Sequence, residues 1–178
     1  EEVVATTQKA CSTETLRVYR ADDVPGVGLG SCLKNVYAIA TGLSDGLGLG
    51  DNARAALLTR SMSEMMALGV SLGGESETFF GLGGFGDLIG TCMGEWSRNR
   101  MFGLALAKGA KPEEVVRSQK TVVEGYSATA CFFEKCRDSG VDMPILTEIY
   151  SILHEGKAPS IAISDLMGRD LKSESIIE

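Results

Sequence analysis

A single lysine interrupts the apolar and small side chains of SCLKNVYAIATGL, residues 31–43. An ammonium half-buried at a cleft loses part of its hydration and can give or take a proton near neutral pH, the chemistry of a general acid or base. Lys34 can equally lay its stem along apolar surface and keep its charge in water. Asn35, beside it, can both donate and accept hydrogen bonds. Asp87 follows the glycines of GLGGFGD. It can cap the helix after it, orient a lysine ammonium, or accept from a substrate hydroxyl. Thr91, four residues on, shares its face if the segment is helical.

A second constellation is SRNR, residues 97–100. Ser97 reads as a helix N-cap, which puts Arg98 and Asn99 in the first helical turn. Arg98 and Arg100 at the positive end of a helix oppose its dipole. An anion bound there, with phosphate the natural choice, resolves the conflict through N–H groups and the guanidinium fork. The other reading is a solvated pair of arginines beside acids such as Glu95. In VVEGY, residues 122–126, Glu124 precedes a helix and can cap it or reach a ribose hydroxyl. His154, the sole histidine, falls in the last turn of a helix, where its role reads as structural.

GLGGFG, residues 81–86, has the spacing of a dinucleotide-binding turn. That turn needs a buried strand before it and a βαβ unit around it. Here a capped helix start, ESETFF, precedes it. We therefore read the glycines as a bend that lets helices approach closely. The clusters GVGLG at 26–30 and GLGLG at 46–50 read the same way.

The elements that position these residues are mostly helices. Apolar periodicity and caps predict them over 31–42, 51–72, 76–80, 97–109, 127–139, 144–155 and 160–167, with Pro112 opening one more. Residues 3–7 and 16–19 read as two short strands, which are marginal in water without further partners. The expected fold is mainly α, with a β remnant of a larger sheet at the N-terminus.

In 178 residues, 44% hydrophobic and 23% charged, a packed core is expected. The net charge of −7 argues against a nucleic-acid partner. No apolar run approaches the roughly 20 residues of a membrane helix, and residues 1–7 show no signal-peptide pattern. The chain starts without Met, which reads as trimming, and its end at 175–178 is no peroxisomal address. The five cysteines show no Cys-x-x-Cys spacing, and with one histidine no metal set is expected. They read as small buried hydrophobes of a reducing compartment.

Taken in order, LKNVYAIATGLSDGLGLGDNARAALLTRSMSEM, GLGGFGDLIGTC, SRNR, VVEGY and MPILTEIY resemble the C-terminal domain of NAD(P)-dependent glycerol-3-phosphate dehydrogenases, over residues 26–169. The resemblance implies an all-helical, 6-phosphogluconate dehydrogenase-like substrate domain at 26–178, with 1–25 the end of a Rossmann domain and a linker. It implies NAD or NADP as cofactor, bound mainly by that other domain. The implied reaction interconverts dihydroxyacetone phosphate and sn-glycerol 3-phosphate. Lys34 matches the catalytic lysine. Asn35, Asp87, Thr91, Ser97, Arg98 and Asn99 match substrate-site positions. Arg98, Val122 and Glu124 match cofactor contacts. A homodimer and a cytoplasmic location are implied, an organelle being the other possibility. The competing expectations are the helical domain of another hydroxyacid dehydrogenase or a ketopantoate reductase, and a non-enzymatic dimerisation module. The chain by itself is expected to lack useful dehydrogenase activity.

Overall fold

The computed structural model describes residues 1–118 and 122–171, so the C-terminal end read for a targeting address lies outside it. In chain order the helices are α1 (Glu2–Cys11), α2 (Val24–Gly46), α3 (Asp51–Ser71), α4 (Ser76–Phe80), α5 (Asp87–Met93), α6 (Arg98–Ala107), α7 (Pro112–Ser118), α8 (Glu124–Ser139), α9 (Pro144–His154) and α10 (Pro159–Met167). A π-helical segment, Leu82–Gly86, joins α4 to α5. Among the described residues there is no strand, and no helix is long and apolar enough to cross a membrane.

The central element is α2. Leu33, Val36, Tyr37, Ala38 and Ile39 are fully buried, and α3, α5, α6, α8 and α9 all pack on it. It begins at Val24, well before the expected residue 31. Pro25 sits in the first turn, where a missing N–H costs nothing. Asp23 caps the turn by accepting from Gly26 N–H (2.8 Å), and its other oxygen accepts from Glu75 N–H (2.8 Å). These backbone bonds, that from Glu75 first, hold the Asp23 carboxyl below its usual range.

Glycines set how closely α2 and α6 meet. A Cβ on Gly42 would lie 2.0 Å from Arg100 O, and one on Gly103 would lie 2.1 Å from Ile39 O. Helix backbones at this range leave no room for a side chain. Gly109, Gly140 and Gly156 take φ of +90°, +71° and +74°, and end α6, α8 and α9 as the sequence predicts.

Two expectations are corrected. Residues 3–7 lie inside α1, and residues 16–19 have no regular structure. Val-Val-Ala-Thr-Thr has strand-forming side chains, but a strand needs a neighbour's backbone. A helix satisfies its own, and Thr7 turns its hydroxyl back to Val3 O (2.8 Å). The 16–19 segment is tied to α1 by side chains instead of a ladder: Gln8 Nε2 donates to Val18 O (2.7 Å), and Val18 N–H to Ser12 Oγ (3.2 Å). The cysteines are also divided. Cys92 and Cys136 are buried, but Cys11, Cys32 and Cys131 are exposed.

One buried carboxylate ties α3 to α9. Glu64, 6% exposed, accepts from Ile145 N–H (2.6 Å) and Leu146 N–H (3.1 Å) in the first turn of α9, and from the Tyr37 hydroxyl (3.4 Å). Those N–H groups have no acceptor within their own helix. Burial raises the Glu64 carboxyl from about 4.5 to about 8, against the pull of the two N–H bonds. The folded chain then binds more protons than the unfolded one across that window. The stabilisation is full below about 4.5 and is lost as pH rises towards about 8.

Two outcomes follow from the packing and from this carboxyl. Gly42→Ala is expected to destabilise by roughly 1–3 kcal/mol or more, whereas Gly28→Ala, where a Cβ meets nothing within 4 Å, is expected to stabilise by about 0.5–1 kcal/mol. Urea unfolding of both reads the difference. Stability is also expected to fall with rising pH, at up to about 1.4 kcal/mol per pH unit from this group. Glu64→Gln should lower stability yet remove that slope; an unchanged slope would show that the carboxyl does not titrate in this window.

Candidate active site

The glycine-rich segment positions Asp87. It follows a helix and is itself one π-turn, so it has neither the strand nor the loop of a nucleotide cradle. Gly84 is buried beneath Phe79, where a Cβ would lie 2.1 Å from the Phe79 carbonyl oxygen. A Cβ on Gly30 of α2 would lie 2.9 Å from Gly83 O. The two glycines bring the π-turn onto α2 one helical turn before Lys34. Asp87, the first residue of α5, therefore emerges beside that lysine.

Lys34 Nζ donates to Asp87 Oδ2 at 2.5 Å, with the side chains 20% and 33% exposed. Ser31 Oγ donates to the same oxygen (3.3 Å), and Thr91 Oγ1 to Oδ1 (3.5 Å). The carboxylate is thus held from both flanking helices, and one of three ammonium hydrogens is committed to it. Lys34 is mostly buried and has a fixed counterion. It is not a lysine trailing into water.

Asn35, the next residue on α2, turns to another neighbour. Asn99 Nδ2 of α6 donates to Asn35 Oδ1 (2.8 Å), Asn35 Nδ2 donates to Ser31 O (3.1 Å), and Asn99 Oδ1 accepts from Gly125 N–H of α8 (2.9 Å). The arginines separate. Arg100 is bound to Asp45 of α2 through Nε (2.9 Å) and Nη2 (2.7 Å), and Asp45 also holds Arg54 of α3 (2.7 Å). Arg98 pairs with Glu124 (2.5 Å), both about half exposed. The acid partners of the two arginines are therefore Asp45 and Glu124, not Glu95.

The structure joins Lys34 and Thr91 to Asp87 where α2 meets α5, and Asn35 to Asn99 where α2 meets α6; the Arg98–Glu124 pair links α6 to the start of α8. Ser97, 2% exposed, is spent as a cap: its Oγ accepts from Arg100 N–H (3.3 Å). Val122 is 69% exposed in the loop before α8 and makes none of these polar contacts. His154 is exposed in the last turn of α9, its ring against Tyr126 and Tyr150. Among the described residues no three His, Cys, Asp or Glu side chains gather as a metal site. Sequence reasoning missed Ser31, Asp45 and Gly125. Ser31 had a signal, since it lies three residues before Lys34 on the same helical face. Asp45 and Gly125 act on residues 55 and 26 positions away, which no local pattern reveals.

Residues 23–164 match the family described as the NAD-dependent glycerol-3-phosphate dehydrogenase C-terminus. A glycerol-3-phosphate dehydrogenase (NAD(P)+) of Syntrophotalea carbinolica is 48% identical over 174 residues, covering 98% of this chain and 52% of the relative. One from Geobacter sulfurreducens is 48% identical over 172 residues, covering 97% and 51%. The crystal structure of glycerol-3-phosphate dehydrogenase from Coxiella burnetii superposes with a TM-score of 0.89 at 40% identity, over 94% of this chain and 52% of that one. The chain spans about half the length of each of these relatives. Over that half it belongs to the glycerol-3-phosphate dehydrogenase C-terminal domain family.

Proposed function

We propose that residues 26–178 form the substrate-holding domain of a dehydrogenase that interconverts dihydroxyacetone phosphate and sn-glycerol 3-phosphate. Residues 1–25 lead in from a nucleotide-binding domain. The observation that carries this reading is that adjacent residues of α2 present an ammonium fixed on a carboxylate and an amide paired to α6, the helix that also carries a half-exposed guanidinium. A small molecule with a carbonyl at one end and a phosphate at the other fits that order of groups.

Arg98 supplies the charge that recognises the phosphate, with Asn99 and Asn35 donating to its oxygens or to the substrate hydroxyl. This anchoring holds the carbonyl near Lys34 and turns binding energy into position. As the carbonyl oxygen gains negative charge, the Lys34 ammonium stabilises it and then transfers a proton from Nζ to that oxygen. Lys34 is left as a neutral amine and is reprotonated from water; Asp87 stays a carboxylate throughout and keeps Nζ in place. In the opposite direction the amine takes the hydroxyl proton. Ser97 acts by ordering the first turn of α6.

NAD or NADP, when bound, supplies or accepts the hydride at the carbonyl carbon. The residues here fit the edge of such a group. Arg98 and Glu124 offer a guanidinium and a carboxylate at the rim for a phosphate and a ribose hydroxyl, with Val122 beside them. The glycine segment does not provide the dinucleotide cradle, so that role falls to the other domain. In this reading the protein works as a homodimer in the cytoplasm, as the family resemblance implies.

The test is reduction of dihydroxyacetone phosphate by this chain when supplied with a nucleotide-binding domain, followed as loss of NADH absorbance. The chain alone is expected to show no turnover. Lys34→Ala should lower kcat by about 10²–10⁴-fold with little change in KM. Arg98→Ala should raise KM for the phosphate substrate by roughly 10–100-fold, the loss of one charged hydrogen bond, and should leave KM for unphosphorylated dihydroxyacetone unchanged. Near-normal turnover without Lys34 would refute the proton-transfer role.

A further inference from the structure

We infer that the backbone N–H of Gly125 is the positioning group of the anion site: it fixes which way the Asn99 amide faces, and through Asn99 the Asn35 amide. The inference rests on the reading of this cleft as a phosphate-substrate site.

Gly125 is the second residue of α8, where a helix leaves its N–H groups without internal acceptors. This N–H is buried, and it donates to Asn99 Oδ1 (2.9 Å) of another helix. An asparagine has one acceptor end and one donor end. Once Oδ1 of Asn99 is committed to α8, Nδ2 must face Asn35. Asn35 then presents Oδ1 to it (2.8 Å) and turns its own Nδ2 to Ser31 O (3.1 Å). If either amide were flipped, two oxygens or two NH₂ groups would oppose each other. Each Nδ2 uses one hydrogen in this relay and keeps the other. The relay thus leaves one N–H on each amide that can donate to an anionic ligand, in an otherwise acidic chain of net charge −7.

Only glycine can hold this place. A Cβ on residue 125 would lie 2.7 Å from Asn35 O, 2.7 Å from Ile39 Cδ1 and 2.9 Å from Asn99 Oδ1. The absent side chain lets the start of α8 reach Asn99 and touch the helix that carries Lys34. Gly125 contacts no reacting atom, so its effect is on where the substrate's oxygens are held.

The experiment titrates sn-glycerol 3-phosphate into the ¹⁵N-labelled chain. In the wild type the Gly125 backbone N–H and the Asn99 and Asn35 side-chain amides should shift along one saturation curve. Gly125→Ala should weaken binding at least tenfold. Circular dichroism and thermal unfolding of the same sample show whether it is folded. If that variant does not fold, the wild-type titration decides alone: shifting Asn99 and Asn35 amides with an unmoved Gly125 N–H would overturn the inference. So would a folded Gly125→Ala chain with wild-type affinity. A wild-type chain in which no cleft resonance responds would instead overturn the reading of the site itself.

Discussion

The structure depends on the close approach of α2 and α6. Where Gly42 and Gly103 face the opposite backbone there is no side chain between the helices. Helix pairs separated by side chains sit about 8–10 Å apart, and at the larger distance the short Asn35 and Asn99 side chains could not meet at 2.8 Å. Their contact is a consequence of glycines one and two turns further along. The same economy of side chains at Gly30 and Gly84 sets Asp87 on the other flank. Glycines on two faces of α2 thus decide what a lysine and an asparagine in its middle can touch.

Charge in the cleft is arranged around that scaffold. The chain is acidic overall, and Lys34, Arg54, Arg98 and Arg100 each stand beside a carboxylate. Asp45, with a side chain 8% exposed, holds Arg54 through one oxygen and Arg100 through the other, and a carboxylate so placed resists rearrangement because its charge would be left unpaired only if both partners were lost. Arg100 is thereby part of the frame. The Arg98–Glu124 pair is half exposed, and a pair so placed is worth little in stability. Two arginines in one tetrapeptide acquire different duties because one faces α2 and the other faces solvent.

Much of the helical layout was legible in the sequence, because caps and stops are local. Ser97, Gly109, Gly140 and Pro144 mark boundaries through their own backbone preferences, and the structure places helix ends there. The start of α2 was misread because Pro25 and Gly26 resemble breakers. In fact the proline takes the first turn, and Asp23 caps the glycine's N–H. The strand reading at 3–7 failed for the opposite reason. Side-chain preference was read correctly, but pairing is not a local property, and no partner backbone is present among the described residues. Among the candidate residues, Lys34 stood out for its apolar setting, Asp87 for its place after the glycines, and Arg98 for its place in a helix's first turn. The Asp45–Arg100 and Gly125–Asn99 contacts were invisible, since each joins helices that only tertiary packing brings together.

Lys34 and Asn35 are adjacent in sequence but turn to different neighbours. Consecutive residues on an α-helix point about 100° apart. From one short stretch of α2, one side chain reaches α5 and the other reaches α6. The ammonium and the amide therefore sit on the same helix, at a separation that the helix fixes. A ligand spanning them meets two chemistries whose relative position does not depend on any loop. What can vary is the outer edge, where Arg98, Glu124 and Val122 are exposed. The contacts of Lys34 and Asn35 are thus held by packed helices, and the Arg98–Glu124 pair, about half exposed, stays open to solvent.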